Sequence, residues 1–231
     1  SQEEECNRLH LNPMDYRQTV LDNLNEENTK RVRANYDKVT VECKKPVIIV
    51  GHGPDWEIEV EKISDTKIPI ISTDVCSTPL MDMGIIPTYI VTYESAYKRI
   101  NEKLFDWKKI DEYSIQVIGS NITMKWMETS LDKIGMDLYR YDRYDANSVS
   151  NVGIFSSMFA HDDLKADRVI LIGMNSWDGD KSIPYLNWYV HWRKYIGELP
   201  KGYFINCTQG GLVYGFGIIE CDFNNLIIKN G

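Results

Sequence analysis

The sequence predicts an α/β fold: a Rossmann-like three-layer sandwich, with a mostly parallel sheet, helices on both faces and a helical lead-in. Three observations predict it. Short Val/Ile runs alternate with helix-patterned stretches, the order that builds a parallel sheet from βαβ units. The runs are apolar throughout rather than alternating, as strands buried on both faces are. Three of them also close alike, as Val-Ile-Ile-Val-Gly-His, Ile-Gln-Val-Ile-Gly-Ser-Asn and Val-Ile-Leu-Ile-Gly-Met-Asn. In open α/β sheets ligands bind outside the carboxyl ends of the strands. The shared ending therefore puts Gly51, Gly119 and Gly173, with Asn121 and Asn175, along one ligand-facing edge. That glycine simply ends strands is the competing reading.

Residues 1–45 form the lead-in. The first twelve are polar. From Pro13 to about Asp37 the spacing of Leu21, Leu24 and Val32 gives part of an apolar helical stripe, for packing on the main domain or for an oligomer contact. Residues 38–45 alternate weakly and suit a short edge strand. The main domain, 46–231, opens on the strand Pro46–Val50 and the turn Gly51-His52-Gly53-Pro54-Asp55. The glycines let the backbone turn sharply and a ligand come close. Pro54 suits a first helical turn, where Asp55 and Glu57 are favoured carboxylates. Strand, glycine turn and helix start together offer an anion site. The stretch is neither a dinucleotide fingerprint nor a Walker loop, because Trp56 stands where the third glycine would be and no Gly-Lys-Ser/Thr follows.

Trp56–Ile63 reads as a helix, Ile68–Ser72 as a strand ending before Thr73 and Asp74, and Ser77–Met83 as a helix stopped by Gly84. Tyr89–Tyr93 is a third strand, followed by Glu94 and a helix to about Trp107. Ser114–Ile118 is a fourth strand, Ile122–Leu131 a helix and Leu138–Tyr141 a short strand. Asn151 stands near the start of a helix over Val152–His161, and Arg168–Ile172 is a further strand. The stretch 177–202 is rich in aromatics, and Trp188, Trp192 and Tyr195 share one helical face. That face reads either as a lid stacking a planar ring or as core or dimer contact. Asp178-Gly179-Asp180 is a turn with two carboxylates, suited to solvent or to a cation. Tyr203–Asn206 and Gly217–Glu220 read as strands, with Gly210 and Gly211 allowing close backbone approach between them. Phe223–Ile228 reads as a final amphipathic turn packing back on the domain.

The 231 residues carry a net charge of −8, with 43% hydrophobic and 26% charged residues. This is ordinary for a globular protein and gives no global field for nucleic acid or anionic membrane. No apolar run reaches the ~18 residues of a membrane span. Five widely spaced cysteines, with no Cys-X-X-Cys, point to a reducing, cytoplasmic setting rather than a disulfide framework or zinc knuckle. The four histidines show no ligand spacing.

Several stretches together resemble one family. They are Ile-Val-Gly-His-Gly-Pro-Asp at 49–55, Ile-Ser-Thr-Asp at 71–74 and Gly-Ile-Ile-Pro-Thr-Tyr-Ile-Val-Thr-Tyr-Glu at 84–94. Ser-Asn-Val-Gly at 150–153, Ile-Leu-Ile-Gly-Met-Asn at 170–175 and Asn-Cys-Thr-Gln-Gly-Gly at 206–211 follow. Their order resembles the 6-hydroxymethylpterin diphosphokinase MptE-like family over roughly 46–220. That family includes archaeal pterin diphosphokinases and domains of motility-associated Maf flagellin glycosyltransferases. The resemblance implies a Rossmann-like fold that binds a nucleotide or other phosphate-bearing ligand at the carboxyl edge. It carries Gly51, Gly53 and Pro54 onto the phosphate-side turn and Asp74 onto the polar end of the second strand. Diphosphokinase members have two aspartates after the third strand, suited to magnesium. Here Thr92-Tyr93-Glu94-Ser95 has one acid, and Asn175 stands where many members have Asp.

Two classes of function follow. The first is a nucleotide-dependent transferase. As a diphosphokinase it would rest ATP on Gly51–Asp55 and hold magnesium with Asp74 and Glu94. As a glycosyltransferase it would bind a nucleotide sugar such as a CMP-sugar, with Glu94 or His52 as general base. A plain turn residue is the competing reading for His52. The second class is a non-catalytic nucleotide-binding or scaffold domain that kept the fold.

Overall fold

The computed structural model describes residues 37–54, 56–92, 104–120, 139–141, 152–174, 191–208, 213–215 and 217–231, with positions 18, 22, 23, 26, 30 and 31 of the lead-in. Eight strands form the main sheet: β2 (Pro46–Val50), β3 (Ile70–Thr73), β4 (Tyr89–Thr92), β5 (Gln116–Ser120), β6 (Tyr139–Tyr141), β7 (Arg168–Ile172), β8 (Phe204–Asn206) and β9 (Ile219–Glu220). Their order is β6-β5-β4-β3-β2-β7-β8-β9, and every pairing is parallel. The fold is the α/β, Rossmann-like one that the sequence predicts.

The apolar runs are strands because both faces of the sheet are covered. Val47 and Ile49 of β2, with Val169 and Leu171 of β7, face one layer. That layer is α4 (Val152–Asp162) and the helix α5 over 191–197. Ile48, Val50, Ile170 and Ile172 face the other layer. It holds α1 (Trp56–Glu61) and the buried side of α2 (Asp74–Asp82). The second layer continues toward β5, where Ile90 and Val117 meet Met81, Leu104, Phe105 and Ile110. Ile110 belongs to α3 (Trp107–Glu112).

Helix α4 shows how sequence suits position. Gly153 through Ala160 are all buried, so the helix needs small residues on its close sides. Its two serines satisfy themselves: Ser156 donates to the Val152 carbonyl at 2.7 Å and Ser157 to the Gly153 carbonyl at 2.9 Å. Gly84 ends α2 as expected, with φ +78. Gly84 N–H donates to Met81 O at 3.0 Å and Ile85 N–H to Leu80 O at 2.9 Å. This paired capping requires a left-handed residue.

Several elements differ from expectation. α2 starts at Asp74 rather than Ser77, because the chain enters the helix directly from β3. β5 extends through Gly119 and Ser120, with Gly119 paired to Thr92, so Gly119 lies within the strand. A helix begins at Trp107, where Asp106 accepts the Lys109 amide at 3.1 Å. The expected helices starting at Glu94 and at Ile122 fall mostly or wholly outside the described residues. The C-terminus is a single 3-10 turn, Phe223–Asn225, followed by a strand, β10 (Leu226–Lys229). β10 pairs in parallel with β1 (Val39–Glu42), forming a separate two-stranded sheet. Val39, Val41, Leu226 and Ile228 lay this ribbon on the α1 side of the core.

Candidate functional site

Because all strand pairings are parallel, the carboxyl ends of β2, β3, β4, β5, β7 and β8 share one rim. Chain order reverses between β2 and β7: β3 to β6 lie on one side and β7 to β9 on the other. In open α/β sheets such a reversal is where ligands bind. Gly51 and Gly173 stand at that point. Gly51 N–H donates to Ile172 O and Gly53 N–H to Gly173 O, both at 2.8 Å, so the ladder runs on beyond the strands.

The glycines have a steric cause here. A Cβ on Gly173, where φ is +65, would lie 2.3 Å from Gly51 O and 2.9 Å from Trp56 Cβ. A Cβ on Gly51 would lie 2.9 Å from Gly173 O and 2.7 Å from Met174 Sδ. The two loops touch backbone to backbone. The amides of Gly51 and Gly53 are thereby engaged with the β7 loop. What the turn shows to solvent is His52 and Pro54, both exposed, and half-buried Gly53. The His52 ring rests 5.5 Å from the ring of Trp56, which is buried.

Asp74 is held at the neighbouring strand end. It is 5% exposed and is the first residue of α2, where the helix dipole favours a carboxylate. Its Oδ1 accepts the Val75 amide at 2.8 Å and its Oδ2 accepts the Thr92 hydroxyl at 2.9 Å. Thr73 makes no side-chain cap, because its hydroxyl donates to Val50 O at 3.0 Å and ties β3 to β2. A carboxylate so fixed has little freedom to turn.

Of the sequence-predicted site residues, the structure thus brings Gly51, His52, Gly53, Pro54, Asp74, Gly119 and Gly173 to one rim. Asp55, Glu94, Asn121, Asn151, Asn175, Gly210 and Gly211 lie outside the described residues. Among the described residues no group of three or more His, Cys, Asp or Glu side chains is spaced to hold a metal. Thr92, Asn206 and Thr208 were not singled out from the sequence as site residues. Thr208 takes the Met174 amide on its hydroxyl at 2.9 Å, and Asn206 braces Thr208 N–H at 3.0 Å and Val213 O at 2.7 Å. Their signal is a polar residue at or just beyond the end of an apolar strand.

The aromatic stretch resolves in part. Trp192 and Tyr195 are buried in the core against Phe204, with ring centroids 5.9 and 6.1 Å apart. For these two, core packing is the reading that holds; Trp188 and the Asp178-Gly179-Asp180 turn lie outside the described residues. An open cleft of about 640 Å³ lies elsewhere, between α1 and the C-terminal turn. Ile58, Lys62, Asp65 and Phe223 help to line it, and no predicted site residue does. Lys62 is held there between Glu59 and Asp222, at 3.1 and 2.6 Å.

The family model for 6-hydroxymethylpterin diphosphokinase MptE-like proteins matches residues 18–179. Among curated proteins none matches the sequence. Among solved structures, a Maf glycosyltransferase from Magnetospirillum magneticum AMB-1 is similar at TM-score 0.56 and 18% identity. The match covers 88% of this chain and 38% of that one. A protein from Lactobacillus plantarum matches at TM-score 0.37 and 13% identity, covering 70% of this chain and 61% of its own. Thiamine pyrophosphokinase from Bacillus subtilis matches at TM-score 0.35 and 14% identity, covering 66% and 56%. The chain thus spans less than two thirds of each of these structures. Among the described residues no helix is long and apolar enough to cross a membrane.

Proposed function

Since the chain belongs to the 6-hydroxymethylpterin diphosphokinase MptE-like family, we propose that it is a nucleotide-dependent transferase moving a diphosphoryl group from ATP to a hydroxymethylpterin-like acceptor. One observation carries the reading: a fixed, nearly buried carboxylate, Asp74, shares a rim with the glycine turn at the point where strand order reverses. Phosphates would lie against the solvent side of the turn, over His52 and Gly53, because the inner side is filled by the β7 loop. The acceptor hydroxyl would bond to the β-phosphorus as the bond from that phosphorus to the oxygen bridging the α-phosphate breaks. AMP then leaves, and the hydroxyl proton passes to a base, for which His52 is the candidate.

Asp74 offers hard carboxylate oxygens of the kind magnesium takes, and Glu94 would join it. Magnesium, when bound, supplies charge neutralisation at the phosphates. A second reading, transfer from a nucleotide sugar, is favoured by one feature. Thr92-Tyr93-Glu94-Ser95 has a single acid where diphosphokinase-like members carry two.

Titration calorimetry with ATP, CTP and CMP-sugars, with and without magnesium, tests the proposal. Magnesium-dependent ATP binding, weakened in Asp74→Asn, supports diphosphoryl transfer. Binding of CMP-sugars that ignores magnesium supports the second reading. An absence of binding to all of them at millimolar concentration overturns both and leaves a scaffold domain.

A further inference from the structure

We propose that Cys207 and Cys221 are an oxidisable dithiol that closes to a cross-strand disulfide on reaction with a peroxide. The register brings them together. Ile205 pairs with Ile219 and Asn206 with Glu220. The ladder then continues one step, with Cys221 N–H donating to Asn206 O at 3.2 Å, as Cys207 N–H does to Leu171 O at 2.9 Å. Cys207 and Cys221 are therefore the next directly opposed pair. Neighbouring strands lie ~4.7–4.9 Å apart, within the ~4.4–6.8 Å between Cα atoms that a disulfide spans. Both side chains enter the same core cluster, so they leave the strands on one face.

The opposed register and the shared core cluster set the two thiols beside each other. The other two described cysteines are placed differently. Cys43 donates to Asp167 Oδ1 at 2.8 Å, and Cys76 accepts from the Thr73 hydroxyl at 3.5 Å. Burial pushes the thiols of both up to about 12, which keeps them protonated and inert. The Cys207 thiol beside it holds the Cys221 thiol below its ordinary value, against the opposing effect of burial.

In the reaction one thiolate of the pair attacks one peroxide oxygen. The O–O bond breaks and hydroxide leaves, giving a sulfenic acid. The sulfur of its partner then attacks that sulfur, the S–O bond breaks, and the thiol proton departs with the hydroxyl as water. Two thiols give up two electrons and one peroxide becomes two waters. Both sulfurs are fully buried. Their exposure depends on opening of β9, which has two residues and lies at the sheet's edge. The bridge would form one residue from Thr208, whose hydroxyl holds the β7 loop at Met174.

The test uses the full chain, treated with graded hydrogen peroxide, then denatured, alkylated and mapped by mass spectrometry. We expect loss of two of the five thiols. A linked Cys207–Cys221 peptide should appear, reversed by dithiothreitol and absent in Cys221→Ser. Oxidation of Cys43 or Cys76 while Cys207 and Cys221 remain alkylatable overturns the proposal, as does linkage of either to another cysteine. Should Cys221→Ser fail to fold, the wild-type map decides alone, since the linked peptide needs no variant. Nucleotide binding plays no part in this readout.

Discussion

Gly173→Ala should cost more stability than Gly84→Ala, and the difference isolates the contact between the two loops. Both glycines have positive φ, +65 and +78. Placing an L-residue in such a conformation costs ~1–2 kcal/mol. A stiffer unfolded chain offsets ~0.4–1 kcal/mol of that. At Gly84 nothing lies within 4 Å of the added Cβ. The net loss there should be about 1 kcal/mol. At Gly173 the Cβ would lie 2.3 Å from Gly51 O and 2.9 Å from Trp56 Cβ. Neither atom is the loose end of a flexible side chain, so the loops must part and stretch the 2.8 Å bond from Gly53 N–H to Gly173 O. Overpacking of this kind adds ~1–3 kcal/mol. The total, about 2–4 kcal/mol, is a large part of the ~5–15 kcal/mol that holds a domain folded. Urea unfolding of both variants beside the wild type, with m values compared, measures it. Equal losses at the two sites, within ~0.5 kcal/mol, would refute the loop contact.

Other expectations are more local. Thr92→Val deprives Asp74 of a buried donor and should cost ~1.5–3 kcal/mol, while Thr92→Ser should recover most of it; a neutral Thr92→Val in urea unfolding would count against the strut. Trp192→Phe should lower the urea midpoint and leave nucleotide affinity unchanged, because the ring is core; a drop in affinity at equal foldedness would restore the lid reading. Asp167 concerns pH. Burial opposes its charge, but the Cys43 thiol and the amides of Lys44 and Lys45 outweigh it and hold the carboxyl below its ordinary 3.8. A depressed folded value means that this stabilisation is full above 3.8 and is lost as pH falls through the lower folded value. Asp167→Asn should therefore flatten the loss of stability in that acid window, and an unchanged slope would exclude the role.

The sheet was legible because its strands are buried on both faces, which forces unbroken apolar runs such as Val47–Val50 and Val169–Ile172. Gly84 was legible because a left-handed cap strongly favours glycine. The start of α2 was not, since nothing local distinguishes an Asp that ends a strand from an Asp that opens a helix. β10 read as an amphipathic turn because Phe223–Ile228 fits more than one period, and its partner β1 lies at the other end of the chain. The site was half legible. Strand-end glycines marked the rim, but the sequence could not say whether Gly51 makes room for a ligand or for the backbone of Gly173. The Thr92–Asp74 hydrogen bond depends on how β3 and β4 pair and on where α2 begins, so no motif announces it.

Hydrogen–deuterium exchange with and without ATP and magnesium tests the rim assignment most directly. Nucleotide should slow exchange in the segments around 51–54, 73–75 and 173–174 together, since parallel pairing puts them on one edge. Protection confined to 58–66 and 223–224, around the open cleft, with the rim unchanged, would contradict it.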